Sequence, residues 1–187
     1  MGTVSTNEFR KKLKVIMDGQ PWMIIENDFI KPGKGQAFNR VKLKNMITGR
    51  VLDRTFKSGE TIETADVTTT TMQFLYTDGT AYTFMDTETF DQIEIQKEQL
   101  GDDVKWLKES VECEVSLWNN QVISVSPPTF MEFEITYTEP AVKGDTATNV
   151  TKKATIDTGY EVDVPLFVNI GDKIKIDTRT GDYLGRV

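Results

Sequence analysis

A lysine at the apex of a short turn is the side chain of this sequence best suited to act on another molecule. The turn consists of six consecutive residues: Lys31, Pro32, Gly33, Lys34, Gly35 and Gln36. Pro32 fixes its own φ angle and the two glycines accept backbone conformations closed to other residues, so the chain can reverse sharply. Lys34 then projects from the apex, where its ammonium group can attract an anion. A solvated turn with an incidental lysine is the ordinary interpretation of such a segment.

Cations continue along the segment that follows the turn. Arg40, Lys42 and Lys44 alternate with Val41 and Leu43, and in a β-strand this alternation places the cations on one face. A line of positive charge leading to a flexible ammonium group fits a polyanionic ligand. An ordinary solvated strand face shows the same alternation, so the pattern leaves both interpretations open.

The amino-acid inventory excludes much of enzyme chemistry. The chain has 187 residues with no histidine and one cysteine, Cys113, which removes nucleophile–histidine–acid triads and zinc sites built from several thiolates. The Lys34 turn lacks the spacing and the strand-to-helix context of a phosphate-binding P-loop. A Schiff-base role for Lys34 needs a lowered pKa, whereas an exposed tip is surrounded by water. We therefore expect no catalytic residue and no cofactor.

Two groups of acidic residues are candidate sites for a hard cation. One pairs Asp102 with Asp103, and the other combines Asp86, Glu88 and Asp91. Neither group has the spacing of an EF-hand loop. A solvated acidic face explains both groups better, so no metal site is expected.

Charge is distributed unevenly along the chain, whose net charge is -7. Residues 1–64 hold 12 basic and 7 acidic residues, a balance of +5, whereas residues 65–127 have a balance of -9 and residues 128–187 one of -3. A basic N-terminal part suggests contact with phosphates or another anion, and an acidic middle part suggests a basic partner. Solubility alone explains the acidic part about as well.

Short apolar runs separated by turn residues fill most of the sequence. Asp18-Gly19 and Asn119-Asn120 each lie between two such runs and favour tight β-hairpins. Residues 100–108 are the best internal candidate for a short helix, because Val104 and Leu107 follow a helical spacing.

The spacing of these runs predicts an all-β chain of three small β-barrel domains. We expect an SH3-like (KOW-like) domain over residues 1–64, an acidic OB-fold domain over residues 65–127 and a C-terminal OB-fold domain over residues 128–187. Pro127 and Pro128 form a stiff break that suits the second boundary. No apolar run is long enough to cross a bilayer, and residues 1–14 lack the apolar segment of a secretory signal, so a cytoplasmic location is the expectation.

Aromatic residues recur in the first two strands predicted for the middle domain. A stacking platform for single-stranded bases is one interpretation of this set: Met72, Phe74, Tyr76, Tyr82 and Phe84. Core packing is the better interpretation, because the balance of -9 in this domain repels phosphates from the place where the bases would stack.

Several motifs in order along the chain resemble bacterial elongation factor P. The tip segment, residues 31–38, and the strand Arg40-Val41-Lys42-Leu43 are similar to the N-terminal motif of that family. Residues 152–171, with Gly159, Val162 and Pro165, resemble its C-terminal signature, and residues 177–187 resemble its usual ending.

The resemblance implies three β-barrels in an L shaped like tRNA. It implies a monomeric factor that is not an enzyme, binds the ribosome between the peptidyl and exit sites and relieves stalling at consecutive prolines. Lys34 is expected to reach the CCA end of peptidyl-tRNA and to favour peptide-bond geometry by positioning. A lysine at this tip resembles the type that a lysyl-tRNA-synthetase-like enzyme extends with a β-lysyl group.

The same resemblance assigns roles to residues outside the tip. The loop expected to approach the exit-site codon consists of Gly144, Asp145, Thr146, Ala147 and Thr148. It is followed by Asn149, where the family often has glycine. Tyr183 and Arg186 match positions that face the small ribosomal subunit. The acidic middle domain resembles the part that faces ribosomal protein near the exit site.

Two other functions are compatible with parts of the sequence. A single-strand nucleic-acid-binding module, not tied to the ribosome, would use the aromatic residues between positions 72 and 84. A lysine-dependent enzyme would form a covalent adduct with a carbonyl substrate through Lys34.

Overall fold

The computed structural model describes residues 2–140 and 150–187, and these residues form mainly β-strands, as predicted. Its strands are β1 (Thr3–Ser5), β2 (Lys14–Met17), β3 (Gln20–Ile30), β4 (Phe38–Asn45), β5 (Val51–Lys57), β6 (Thr61–Glu63), β7 (Val67–Thr77), β8 (Ala81–Asp86), β9 (Gln92–Gln96), β10 (Glu112–Trp118), β11 (Gln121–Ser126), β12 (Phe130–Thr138), β13 (Thr151–Ile156), β14 (Glu161–Pro165), β15 (Lys173–Asp177) and β16 (Asp182–Arg186). Helical structure in the described residues consists of α1 (Lys97–Leu100) and two 3-10 helices, Thr6–Glu8 and Gly101–Trp106.

The described chain divides into two compact units. The first comprises residues up to Thr70 together with Val115–Ser124, and the second comprises Thr71–Glu114 together with the described part of Val125–Val187. The boundaries at 64/65 and 127/128 stay predictions.

The N-terminal part of the first unit is a four-stranded antiparallel sheet in the order β2-β3-β4-β5, accompanied by the pair β1-β6. Asp18 has φ 53°, the left-handed conformation that a tight hairpin turn needs, so the hairpin predicted at this position is confirmed. The core of the sheet contains eight buried side chains that lie on strands or pack against them: Phe9, Val15, Met17, Trp22, Ile24, Val41, Leu43 and Phe56. Burial of these side chains holds the long β3-β4 hairpin against the rest of the sheet.

A five-stranded sheet follows, in the order β11-β10-β7-β8-β9. Asn119 and Asn120 both have positive φ angles, 51° and 60°, and form the predicted tight turn between β10 and β11.

The helices in the described residues are all too short and too polar to cross a membrane.

The short helix between β9 and β10 differs from the prediction of a helix over residues 100–108. The α-helix begins at Lys97 and ends at Leu100, because Gly101 adopts φ 58° and its backbone N–H closes the last turn on the carbonyl of Lys97. The chain then continues as the 3-10 helix Gly101–Trp106. A short helix thus lies within residues 100–108, as predicted, but it is a 3-10 helix that ends at Trp106.

The C-terminal sheet has the strand order β14-β13-β12-β15-β16. Its core includes Phe133, Ile156, Val164 and Ile174, which are at most 1% exposed. Trp106, from the 3-10 helix ahead of β10, belongs to the same buried cluster. The core of this sheet thus includes a residue that precedes its first strand by more than twenty positions.

Candidate functional site: the Lys34 loop

The Lys34 loop lies at the end of the longest hairpin in the first unit. Strands β3 and β4 pair antiparallel from Trp22 opposite Asn45 to Ile30 opposite Phe38, so residues 31–37 connect the two strand ends. The backbone N–H of Ser58 donates to the carbonyl of Ala37 at 3.0 Å and fixes the C-terminal end of the loop. A two-stranded hairpin therefore presents the loop, as the turn residues predicted.

Lys34 is exposed, like Lys31, Gly33, Gly35 and Gln36 around it, while Pro32 is half-buried. The ammonium group of Lys34 has no ion pair with any residue that the structure describes. An unpaired cation on a supported loop is free to bind an anionic or polar group.

The two glycines of the loop are not equivalent. Gly35 has φ 107°, and a Cβ atom built on it would lie 3.8 Å from Cγ of Pro32, so conformation and not space requires glycine there. Gly33 has no positive φ angle, and a Cβ atom there would meet nothing within 4 Å. Of the two glycines, Gly35 alone thus uses a conformation that is closed to most other residues.

Strand β4 divides its side chains between two faces as the sequence predicted. Val41 and Leu43 are 0% exposed in the core, whereas Arg40 and Lys44 are exposed on the opposite face and Lys42 is half-buried there. Carboxylates flank this row of cations, however.

Strand register brings acidic residues opposite two of the three cations. Asp28 lies opposite Arg40, and Glu26 lies opposite Lys42 on β3, while Asp53 lies opposite Lys42 on β5. Nζ of Lys42 lies 2.9 Å from Oε2 of Glu26. The hydrogen bond with Glu26, and then the charge of that carboxylate, raise the pKa of Lys42. The outer face of β4 is thus partly neutralised, so it attracts a polyanion less than the isolated strand would.

One aromatic residue near the loop was missed in the sequence. Phe29 is 59% exposed and lies on β3, opposite Asn39. Its ring is available to stack against a base or a ribose near Lys34. The signal was an aromatic residue next to the loop, in a hairpin whose other apolar residues are buried or half-buried.

The rings proposed as a stacking platform do not form one. Met72, Phe74, Tyr82 and Phe84 are at most 7% exposed, and of this set Tyr76 alone is exposed, at 60%. Phe74 packs against Tyr82 and Phe84 with ring centroids 5.8 and 5.4 Å apart. Core packing, the preferred interpretation, is confirmed for the four buried residues and not for Tyr76.

The remaining predicted site residues lie in the C-terminal sheet or outside the described residues. Tyr183 of β16 is half-buried against the core and meets the ring of Phe167 edge-on at 6.4 Å. Nη1 of Arg186 lies 3.5 Å from Oδ2 of Asp172. The predicted codon loop, Gly144, Asp145, Thr146, Ala147 and Thr148, lies outside the described residues. In the described part of the chain, no group of three or more acidic or cysteine side chains is arranged to hold a metal ion.

Three family models match consecutive parts of the chain. They are the elongation factor P KOW-like domain over residues 5–62, the elongation factor P OB domain over residues 67–125 and the elongation factor P C-terminal domain over residues 131–186. The all-β chain therefore consists of KOW-like and OB domains in the order of that family.

Two solved structures are similar in fold. A eukaryotic translation initiation factor 5A from Methanococcus jannaschii is 21% identical, with a TM-score of 0.51 over 67% of this chain and 94% of that one. A translation initiation factor eif-5a family protein from Naegleria fowleri is 15% identical, with a TM-score of 0.53 over 67% of this chain and 97% of that one. At such identities the likeness concerns the fold. With the three family matches, the conclusion is that the chain belongs to the elongation factor P family of translation factors.

Proposed function

We propose that this protein binds the ribosome between the peptidyl and exit sites and stimulates peptide-bond formation at consecutive prolines. The observation that carries the proposal is the exposed, unpaired ammonium group of Lys34 at the end of the β3-β4 hairpin. In this role the loop contacts the acceptor end of peptidyl-tRNA.

The contribution to rate is positional. Buried Val41 and Leu43 anchor the hairpin that carries the loop. The tRNA end is then ordered when it binds to the loop, so the reaction step does not carry that entropic cost. Arg40 and Lys31 lie on the same hairpin and supply further positive charge near the tip. No proton transfer by the protein and no cofactor is needed, so in this proposal the protein is a monomeric factor and not an enzyme.

The other proposed contacts are distributed over the rest of the chain. Tyr183 and Arg186 would face the small subunit, and residues 144–148 would approach the exit-site codon. The acidic residues between positions 65 and 127 would face a basic ribosomal protein near the exit site. These partners place the protein in the cytoplasm.

Lys34 is also the proposed site of a covalent extension. An exposed primary amine is open to acylation, and a lysyl-tRNA-synthetase-like enzyme would attach a β-lysyl group to it. The added group would lengthen the side chain and keep a positive charge at its end.

The proposed function is tested by Lys34→Ala in a reconstituted translation assay with a template that encodes consecutive prolines. We expect the variant to lose stimulation and to melt at the same temperature as the unchanged protein, because the side chain makes no packing contact that the fold needs. Lys44→Ala is the matched control, since it removes an exposed cation from the same hairpin away from the tip. Full stimulation by Lys34→Ala would contradict the proposal.

The extension is tested separately by the mass of the peptide that contains Lys34, isolated from the native host. Lys34→Arg keeps a positive charge but lacks the amine to be acylated, so we expect it to behave like the unextended protein. An unextended protein with full activity would contradict the proposed modification while leaving the ribosomal role intact.

A further inference from the structure

Three consecutive cations occupy one exposed turn of the first unit. Arg10, Lys11 and Lys12 lie between the 3-10 helix Thr6–Glu8 and strand β2, and all three are exposed. None of them forms an ion pair with a residue of the described parts of the chain. Their charge is therefore available to a partner.

Backbone hydrogen bonds hold this turn in one conformation. The N–H of Leu13 donates to the carbonyl of Arg10 at 3.2 Å, and the N–H of Lys12 donates to the carbonyl of Ile24 at 2.7 Å. Lys12 itself has φ 69°, which is uncommon for a lysine. The turn is thus attached to the middle of β3 and presents its side chains from a fixed backbone.

A partly buried polar network fixes the residue just before the turn. Nδ2 of Asn39, a residue only 4% exposed, donates to Oδ1 of Asn27 at 2.9 Å, and Nδ2 of Asn27 donates to the carbonyl of Phe9 at 3.0 Å. The ring of Phe9 meets that of Phe56 edge-on at 5.2 Å. Phe9 is therefore anchored by its backbone and by its side chain, so binding a ligand at the adjacent cations costs little ordering of the main chain.

The cations of the turn differ from Lys42 of β4 in that they have no carboxylate partner in the described residues. Lys42 already has Glu26 at 2.9 Å, and Arg40 has Asp28 opposite to it in the strand register. A polyanion at Lys42 must compete with Glu26, whereas one at the turn meets three unpaired cations. The turn therefore offers an anion more unpaired charge than Lys42 of β4 does.

We propose that Arg10, Lys11 and Lys12 form a phosphate-binding turn that holds the backbone of an RNA. The inference rests on the proposed function in one respect, namely that the RNA is part of the ribosome or of its bound tRNA. A membrane surface is the less suitable polyanion, because Phe9 is buried and Leu13 half-buried, which leaves the turn no exposed apolar side chain to insert between lipids.

The test compares two pairs of substitutions that remove the same charge. Lys11→Gln with Lys12→Asn removes two unpaired cations, and asparagine tolerates the positive φ angle at position 12. Lys153→Gln with Arg179→Gln removes two cations of the C-terminal sheet that are already paired, at 2.9 and 2.7 Å, with Asp163 and Asp177. The dissociation constant for ribosomes carrying peptidyl-tRNA is measured for each protein at salt concentrations from about 50 to 200 mM, the range over which phosphate contacts change affinity steeply.

We expect the first pair to weaken binding and to make the dependence of log K on log salt shallower by about 1.5, since each phosphate contact contributes about 0.7 to 0.9. The second pair should leave that slope unchanged. Equal slopes for all three proteins, or an equal decrease for both pairs, would overturn the proposal. So would a slope that changes only for binding to vesicles containing phosphatidylglycerol.

The outcome is independent of the translation assay. If Lys34→Ala retains full stimulation while the first pair still flattens the salt dependence, the proposed function fails and the phosphate-binding turn stands. If Lys34→Ala loses stimulation while the first pair binds like the unchanged protein, the turn fails and the proposed function stands.

Discussion

The indole ring of Trp106 packs against the phenyl ring of Phe133, with ring centroids 5.7 Å apart and planes inclined by 43°. Trp106 ends the 3-10 helix ahead of β10, whereas Phe133 lies on β12, and both are 1% exposed. Two further contacts join residues 105–108 to the turn after β13: Oγ1 of Thr158 donates to the carbonyl of Lys105 at 2.7 Å, and Nζ of Lys108 lies 3.8 Å from Oδ2 of Asp157. Within the second unit, the helix that carries Trp106 is thus part of the C-terminal core.

Replacing Trp106 should destabilise the second unit strongly. Trp106→Ala removes a large buried side chain and leaves a cavity, so we expect a loss of about 3 to 5 kcal/mol in the free energy of unfolding. Trp106→Phe is the matched control. Nε1 of Trp106 has no hydrogen-bond partner in the described residues, and phenylalanine removes that buried donor while keeping most of the ring.

Urea unfolding followed by circular dichroism measures both Trp106 variants. We expect the phenylalanine variant to lose less than half of what the alanine variant loses. Equal losses would mean that the indole nitrogen makes a favourable interaction, and a negligible loss for Trp106→Ala would contradict the role of this ring in the core.

Asn39 should be more important for stability than its polar side chain suggests. It is 4% exposed and donates to Asn27, which in turn donates to the carbonyl of Phe9. Asn39→Ala leaves an acceptor of Asn27 unpaired, so we expect a loss of about 1 to 3 kcal/mol in the free energy of unfolding. Thr55→Ala, on the exposed face of the neighbouring strand, should stay within about 0.5 kcal/mol of the unchanged protein in the same urea titration. Equal effects of the two substitutions would contradict a structural role for the network.

Local sequence chemistry predicted the hairpins because each depends on a few adjacent residues. Asp18 and the pair Asn119-Asn120 accept the left-handed conformation that a tight turn imposes, so the turn positions follow from residue type alone. The division of β4 into a buried face, with Val41 and Leu43, and an outer face follows in the same way from alternation.

The charge of the outer face could not be predicted because it depends on register. A β-bulge lies between Ile24 and Glu26, and the pairing shifts there by one residue. Regular pairing would continue with Ile25 opposite Lys42, whereas the bulge brings Glu26 to that position. One additional residue in β3 therefore decides whether Lys42 faces an apolar side chain or a carboxylate.

Trp106 shows a second limit of the sequence. The spacing of apolar residues within positions 100–108 favours a helix. The same spacing cannot show that Trp106 packs in a core formed by strands that begin at Phe130. The α-helix ends at Leu100, where Gly101 takes φ 58°, and the chain continues as a 3-10 helix whose Trp106 packs in that core. Tertiary contacts of this kind outweigh a weak local preference.

Cys113 should be almost unreactive while the protein is folded. It is 1% exposed, and burial, followed by the nearby charge of Asp103, raises the pKa of its thiol to about 12. At pH 8 only about one thiol in ten thousand is then ionised, and the thiolate is the reactive form. We expect iodoacetamide to label Cys113 in urea but not in native buffer.

A variant with an accessible thiol provides the control for this labelling. Ser126→Cys in a Cys113→Ala background places a single cysteine at an exposed position at the end of β11, so it should react under native conditions. Rapid and complete labelling of Cys113 in the folded protein would contradict the burial of its thiol.

Asp78 should titrate far below an ordinary aspartate. Its Oδ1 accepts hydrogen bonds from the backbone N–H groups of Ala81 and Thr80 and from the hydroxyl of Thr80, each at 2.8 Å. These bonds, the one from Ala81 first, lower the pKa of Asp78 to about 2. Because the folded pKa is depressed, the stabilisation is fully present above the unfolded value of about 3.9. It is lost as the pH falls through the folded value near 2.

A carbon-13 titration of the Asp78 carboxyl group measures this directly, and Asp78→Asn supplies the comparison in stability. Asparagine keeps an oxygen acceptor for the turn but does not titrate, so the difference in melting temperature between the two proteins should shrink as the pH falls from 5 to 2. A carboxyl midpoint near the ordinary value, or a difference in melting temperature that does not change with pH, would mean that the ionised carboxylate does not hold the β7-β8 turn.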